Sequence, residues 1–287
     1  MQAKLDCIPC LVKQALKTSR LAGHAEKQQE KALRNVLAFL EQADWSQTPP
    51  SLSGKVQLIV ERLNPAVKDP YAALKKQSNE LLLKEIPRLR ETIRGPDGFD
   101  RAMRIAIAGN IIDFAARSDF DVFKDIDRVL VQELALDDSE ALLERLREAK
   151  TLIYLADNAG EIVLDRLLIE HIIENINPEL NITVIVKAVP AINDAMKADA
   201  EASGLIGILG VSIDTVTSIT ASGEDEREKK EFREKIKSAD VVISKGQANF
   251  EVLSNVPGIF FLLLTKCPVL AKDVGVTINS AVCYLSR

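Results

Sequence analysis

Three short segments gather side chains that can bind ions or phosphate. In the first, Asp157-Asn158-Ala159-Gly160-Glu161, a carboxylate and an amide oxygen stand on adjacent residues. The glycine lets backbone approach a ligand, and Glu161 opens the helix that follows. Oxygen donors of this kind suit Mg²⁺ or Mn²⁺. Asp and Asn are also favoured helix caps, and a Glu three residues on completes a capping box, so by itself the segment fits a cap equally well. The second segment, Lys187 to Asp194, again sets an amide beside a carboxylate at Asn193-Asp194. Lys187 is read as neutralising an anionic ligand. Asp194 is read as completing the coordination begun by Asp157 and Asn158, because neighbouring strand ends of a sheet lie close together. A helix cap is again the plain alternative. The third segment, Ser244-Lys245-Gly246-Gln247-Ala248-Asn249-Phe250-Glu251, places a lysine and a glycine directly after a strand. That pair can hold a phosphate by a point charge and backbone NH groups, although its spacing matches no P-loop.

A separate chemistry is suggested by Cys7-Ile8-Pro9-Cys10, which reads as a redox or metal pair, with Cys267 after the last strand as a third thiol. Cys7 and Cys10 fall at a helix start, where thiolates are stabilised. A second metal or a redox clasp would use them, and buried, unreactive thiols are the alternative. These cysteines alone do not make a four-ligand zinc site, and only His24 and His171 are available as imidazoles.

The elements that must carry these residues follow from periodicity. From Ile8 to about Ala149 apolar residues recur at helical spacing, as in Leu33, Val36, Leu37 and Leu40, so residues 1–149 are expected to form a mainly helical domain. Gly95-Pro96-Asp97-Gly98 is a loop before a helix predicted through Arg104 to Ala116. At Thr151 the pattern changes. Apolar or β-branched runs at 152–156, 182–187, 240–244 and 259–264 predict four strands alternating with helices, hence a mainly parallel sheet covered on both faces in residues 150–287. In such a sheet, ligands bind at the carboxyl ends of the strands, where all three segments fall. The mixed-charge run from Glu224 to Lys230 reads as the solvated start of a helix ending near Ser238.

Composition narrows the partners. The 287 residues are 47% hydrophobic and 28% charged, with a formal net charge of −5, which argues against a surface that tracks nucleic-acid phosphates. The longest apolar run, Ile259 to Leu264, falls far short of the roughly 18 to 20 residues of a membrane helix, and no apolar signal-peptide core follows Met1. A cytoplasmic protein with reduced thiols is expected, and the sequence is silent on oligomeric state.

Together the Asp157 to Glu161, Pro190 to Asp194 and Lys245 to Glu251 stretches resemble the motifs of the damage-control phosphatase family, formerly protein-of-unknown-function family 89. Asp6-Cys7-Ile8-Pro9-Cys10, Ala108-Gly109-Asn110-Ile111-Ile112-Asp113 and Lys266-Cys267 are similar to the microbial branch with paired cysteines. The resemblance spans nearly the whole chain. It implies a helical domain packed on an α/β domain, a divalent ion (Mn²⁺, Ni²⁺, Co²⁺ or Mg²⁺) held at Asp157, Asn158 and Asp194, and hydrolysis of phosphate esters of small metabolites. In that reading Lys245, Gly246 and Asn249, with Lys187 and Asn110, contact the substrate and its phosphate, and Asp194 or Glu161 takes the proton of the attacking water. Two rivals stand beside it: a nucleotide- or cofactor-binding regulatory module without turnover, and a carboxyl methyltransferase. The second lacks a G-x-G loop after a strand.

Overall fold

A computed structural model of the chain describes residues 1–109, 122–217 and 226–287. The helical spacing of the first part becomes α1 (Cys7–Leu21), α2 (Glu26–Gln42) and α3 (Pro49–Glu61), whose apolar faces meet in a small core of their own around Leu11, Ala15, Val36, Leu40, Leu52 and Val56. α3 begins at a site prepared for it. Pro49 and Pro50 occupy its first positions, and the Thr48 hydroxyl accepts a bond from the Ser51 amide. The next two helices, α4 (Ala72–Thr92) and α5 (Gly98–Gly109), are followed by α6 (Val122–Val131) and α7 (Ser139–Glu148). The helix expected to run to Ala116 is described only as far as Gly109, so Asn110 lies outside the described residues.

The sheet holds seven strands among the described residues: β1 (Leu136–Asp137), β2 (Thr151–Leu155), β3 (Asn181–Lys187), β4 (Val211–Val216), β5 (Val241–Lys245), β6 (Ile259–Leu264) and β7 (Ala281–Leu285). Their order is β1-β7-β6-β5-β2-β3-β4, parallel except for the antiparallel β6–β7 pair. The four predicted strands form the centre, and β1, β4 and β7 add to its two sides. Because successive side chains of a strand point to opposite faces, Leu152 and Tyr154 of β2 join one core while Ile153 and Leu155 join the other.

Helix α8 (Glu161–Asn175) follows β2 and is buried nearly all round, with Ile162, Leu164, Leu167, Leu168 and Ile172 fully inaccessible. It lies between the sheet and helices α4 and α5, which is why it lacks a polar face. Each fully buried Leu or Ile there contributes about 1.5–3 kcal/mol. The packing is close enough that a Cβ on Gly109 of α5 would stand 3.0 Å from Glu161 Cγ. The remaining helices are α9 (Lys197–Ser203), α10 (Glu226–Ser238), α11 (Gln247–Leu253) and α12 (Pro268–Val274).

Strand order turns at β2, which has β3 on one side and β5 on the other. Asp157 follows β2 and Gly246 follows β5, so the first and third segments face each other across the switch point, where open α/β sheets bind ligands.

Candidate functional site

Backbone hydrogen bonds knit the first two segments together before any side chain is considered. The Ala195 amide donates to the Asp157 carbonyl at 2.8 Å, the Ala159 amide to the Asn193 carbonyl at 2.9 Å, and Asn158 and Asp194 form an antiparallel bridge. The third segment closes on the same point. Gly246 has φ +78°, and a Cβ on it would stand 1.9 Å from Asp157 Oδ2. Only glycine meets both demands. Gly246, expected to offer backbone NH to a phosphate, instead packs against a carboxylate of the chain itself, and its amide donates to the Leu262 carbonyl at 3.3 Å.

Asp157 and Asp194 are carboxylates buried close to further acids. The Asp157 carboxyl is held well above its usual range, first by burial and then by the charges of Glu161 and Asp194, with Lys266 and Lys245 opposing. Asp194 is also raised by burial, against the lowering charges of Lys187 and Lys75. The Lys187 ammonium stands 3.6 Å from Asp194 Oδ2. The Asn158 amide bridges the acids, donating to Asp157 Oδ2 at 2.7 Å and Glu161 Oε2 at 3.0 Å.

The ammonium of Lys245 has a different setting from the one expected. It is fully buried and donates to the Ala106 carbonyl at 2.9 Å, to Glu161 Oε1 at 2.7 Å and to Asp165 Oδ1. An ammonium has three protons, and all three are spent here. Burial depresses its pKa, but Asp165 and Glu161 pull it up and prevail. Lys245 thus neutralises two buried acids and has no proton left for a phosphate. Asn249 is corrected in the same way: its amide group donates to the Ala156 carbonyl at 3.2 Å and the Lys245 carbonyl at 2.8 Å, bracing the strand ends. Glu161, expected as a possible base, is fully buried with both oxygens engaged.

Three polar residues that sequence reasoning missed, Asp165, Asn79 and Gln57, complete the frame. Asp165, one helical turn after Glu161 on α8, shares Lys245 and accepts from the Tyr154 hydroxyl at 2.7 Å; burial lifts its carboxyl to about 6. The i, i+4 spacing of two acids in an apolar helix was the available signal. Asn79 of α4 accepts from the Gly160 amide at 2.6 Å and donates to Asp199 at 2.7 Å. Gln57 of α3 accepts from the Ile192 amide at 2.8 Å. Neither amide carries a local signal, because their partners lie 81 and 135 residues away.

A cleft of about 570 Å³ opens beside Asp194, between α1 and α3 on one side and the strand-end loops on the other. That volume suits a small-molecule ligand. Lys187 and Asp194 line it, and so do Cys7, Cys10 and Cys267, so the three thiols do meet around one space. All are unpaired cysteines. The helix start was expected to favour the Cys7 thiolate, yet burial raises its pKa and outweighs the lowering bond from the Lys4 amide.

Hard oxygen donors are what this site offers a cation. Among the described residues no three His, Cys, Asp or Glu side chains already surround one point; the donors at the switch point are two carboxylates and an amide. Their chemistry fits Mg²⁺ or Mn²⁺. The fit rests on buried acids that repel each other, which a divalent charge would relieve.

The fold thus defines an α/β protein with an acidic, oxygen-rich cluster at the switch point of its sheet, beside a cleft walled by helices. Residues 3–282 match the damage-control phosphatase ARMT1-like domain, and the chain belongs to that family. It is 32% identical to a damage-control phosphatase of Pyrococcus horikoshii, over 100% of this chain and 99% of the relative. It is 34% identical to a damage-control phosphatase of Archaeoglobus fulgidus, over 75% of each. The crystal structure of a DUF89-family protein from Pyrococcus horikoshii is similar over the full length of both chains, with a TM-score of 0.87 at 27% identity. No described helix is long and apolar enough to cross a membrane.

Proposed function

We propose that the chain is a divalent-cation-dependent phosphatase acting on phosphate esters of small metabolites. The observation that carries this reading is the convergence of Asp157, Asn158 and Asp194 at the strand ends, with Asp194 on the wall of a ligand-sized cleft, in a family whose named relatives include phosphatases. Asp157, Asn158 and Asp194 would hold the ion. When bound, it would supply Lewis-acid polarisation of the phosphoryl oxygens and a lowered pKa for a nearby water.

The chain's own groups divide the remaining work. With Lys245 committed to Glu161 and Asp165, Lys187, on the cleft wall beside Asp194, is the cation that would meet the anionic phosphate. Of the two carboxylates expected to act as base, Asp194 lines the cleft and Glu161 does not. The Asp194 carboxylate therefore accepts the proton of the attacking water as the water oxygen bonds to phosphorus. The ester bond breaks, and the leaving alkoxide takes a proton from solvent, giving the free alcohol and inorganic phosphate. Helices α1 and α3 shape the space for the leaving group.

The test measures inorganic phosphate released from a panel of sugar phosphates, nucleotides and other phosphorylated metabolites with Mn²⁺, Co²⁺, Ni²⁺ or Mg²⁺, beside the Asp157→Ala variant. Turnover that needs the ion and is lost in the variant supports the reading. A wild-type protein stabilised by these compounds without releasing phosphate is a binding module instead.

A further inference from the structure

The turn that carries Asp194 holds a residue in a conformation it would not choose. Residues 191 to 194 form a turn closed by the Asp194 amide donating to the Ala191 carbonyl at 2.9 Å, and Ile192, its first central residue, has φ +46°. A positive φ at that position is normally met by glycine, and for a β-branched residue it is a strained outlier. Such strain persists only where the surroundings over-determine it.

The surroundings here come from the helical part of the chain. Gln57, on α3 and 4% exposed, accepts the Ile192 amide at 2.8 Å, and its own amide group donates to Glu61 Oε1 at 2.7 Å and to the Pro190 carbonyl at 3.4 Å. Glu61 accepts only, so it turns the NH₂ of Gln57 toward itself and leaves the Gln57 oxygen facing Ile192. One buried side chain thus grips the turn on both sides of Ala191, three residues before Asp194.

We infer that Gln57 is a positioning residue: from α3 it holds the 191–194 turn in its strained form and so fixes the Asp194 carboxylate in the ion site. This rests on the cation reading of that site, deepening it by giving the helical bundle a part in the chemistry. The bundle wall that shapes the cleft also sets the geometry of a ligand, so the two cannot drift apart independently. Isoleucine in place of glycine makes the turn dependent on that grip.

Three full-length variants test this: Gln57→Leu, Ile192→Gly and the double variant. Mn²⁺ affinity is read by titration calorimetry, and amide hydrogen exchange of the 188–196 segment by mass spectrometry on the metal-free protein. Gln57→Leu is expected to weaken Mn²⁺ binding about 10- to 100-fold, the usual range for losing a group that orients a ligand, and to speed exchange in the segment. Adding Ile192→Gly should return affinity to within about 3-fold of wild type, because glycine takes positive φ unaided. A role in packing alone would not be rescued by removing a side chain elsewhere. Wild-type affinity and exchange in Gln57→Leu, or a double variant as weak as the single one, overturns the proposal. Should the wild type itself take up no Mn²⁺, the cation reading falls, and the exchange experiment alone decides whether Gln57 holds the turn.

Discussion

Two groups of buried acids lie within one helical turn of each other and have opposite electrostatic fates. Glu161 and Asp165 share the ammonium of Lys245, with Asn158 donating to the other Glu161 oxygen and Tyr154 to the same Asp165 oxygen that Lys245 holds. Asp157 and Asp194 sit beside them with raised carboxyls, burial outweighing the opposing charges of Lys266 and Lys245 on the first and of Lys187, 3.6 Å away, and Lys75 on the second. The first group has its cation covalently tethered; the second keeps raised carboxyls despite the lysines around it, and the proposed divalent ion would lower them. A resident lysine sets a rigid floor, and a site left negative can take an ion and give up a product. Burial costs both groups, but only the second keeps that cost available to a ligand.

Removing the tethered cation should have the largest effect. Lys245→Met leaves two uncompensated buried acids, a loss of about 3–5 kcal/mol, read as a fall in melting temperature on the order of 10 °C. An unchanged melting temperature would mean that the cradle is not what holds α8 to the sheet. Gly246→Ala comes next, since the added methyl meets Asp157 and the backbone φ of +78° resists any side chain. A destabilisation of about 1–3 kcal/mol with weaker Mn²⁺ binding is expected in a denaturant titration and a calorimetric one. In the opposite direction, Asp157→Asn should stabilise the protein in a chelator by about 1 kcal/mol, because it removes one of two facing carboxylates. Should both Lys245→Met and Asp157→Asn destabilise the chelated protein, the contrast between the two groups is lost.

Glu251, on the wall of the cleft, sharpens the comparison from outside. Burial pushes its carboxyl up to about 7, above the unfolded value of about 4.3. The folded state therefore binds its proton more tightly, and the ionised form is a penalty that is absent below pH about 4.3 and complete above about 7. Wild type should lose a few degrees of melting temperature relative to Glu251→Gln between pH 5 and pH 8 and match it at pH 4. A constant gap across that range would place the carboxyl at its ordinary value.

How much of this was legible in the sequence depended on whether a residue's neighbours were local. Strands β2, β3, β5 and β6 are continuous apolar or β-branched runs because both faces are covered, and they were readable. β4 lies at the sheet edge, where Ser212, Asp214 and Thr215 interrupt the pattern; β1 has two residues; β7 reverses direction, which no periodicity announces. The meeting of the Asp157 and Asp194 loops followed from their places at strand ends. The direction of Lys245 did not, because a lysine at the end of a strand looks the same in sequence whether register turns it to the cleft or to the core. Gln57 and Asn79 were out of reach for a similar reason, since each is defined by a partner on another element.

The central claim is that Asp157, Asn158 and Asp194 hold the ion on which turnover depends. The most direct measurement is a calorimetric titration of Mn²⁺ into the chelator-stripped wild type and into Asp157→Asn. The account predicts one site in the wild type and affinity at least about 100-fold weaker in the variant, although the empty variant is the more stable protein. Equal affinity in the two, or no binding by the wild type, would contradict it.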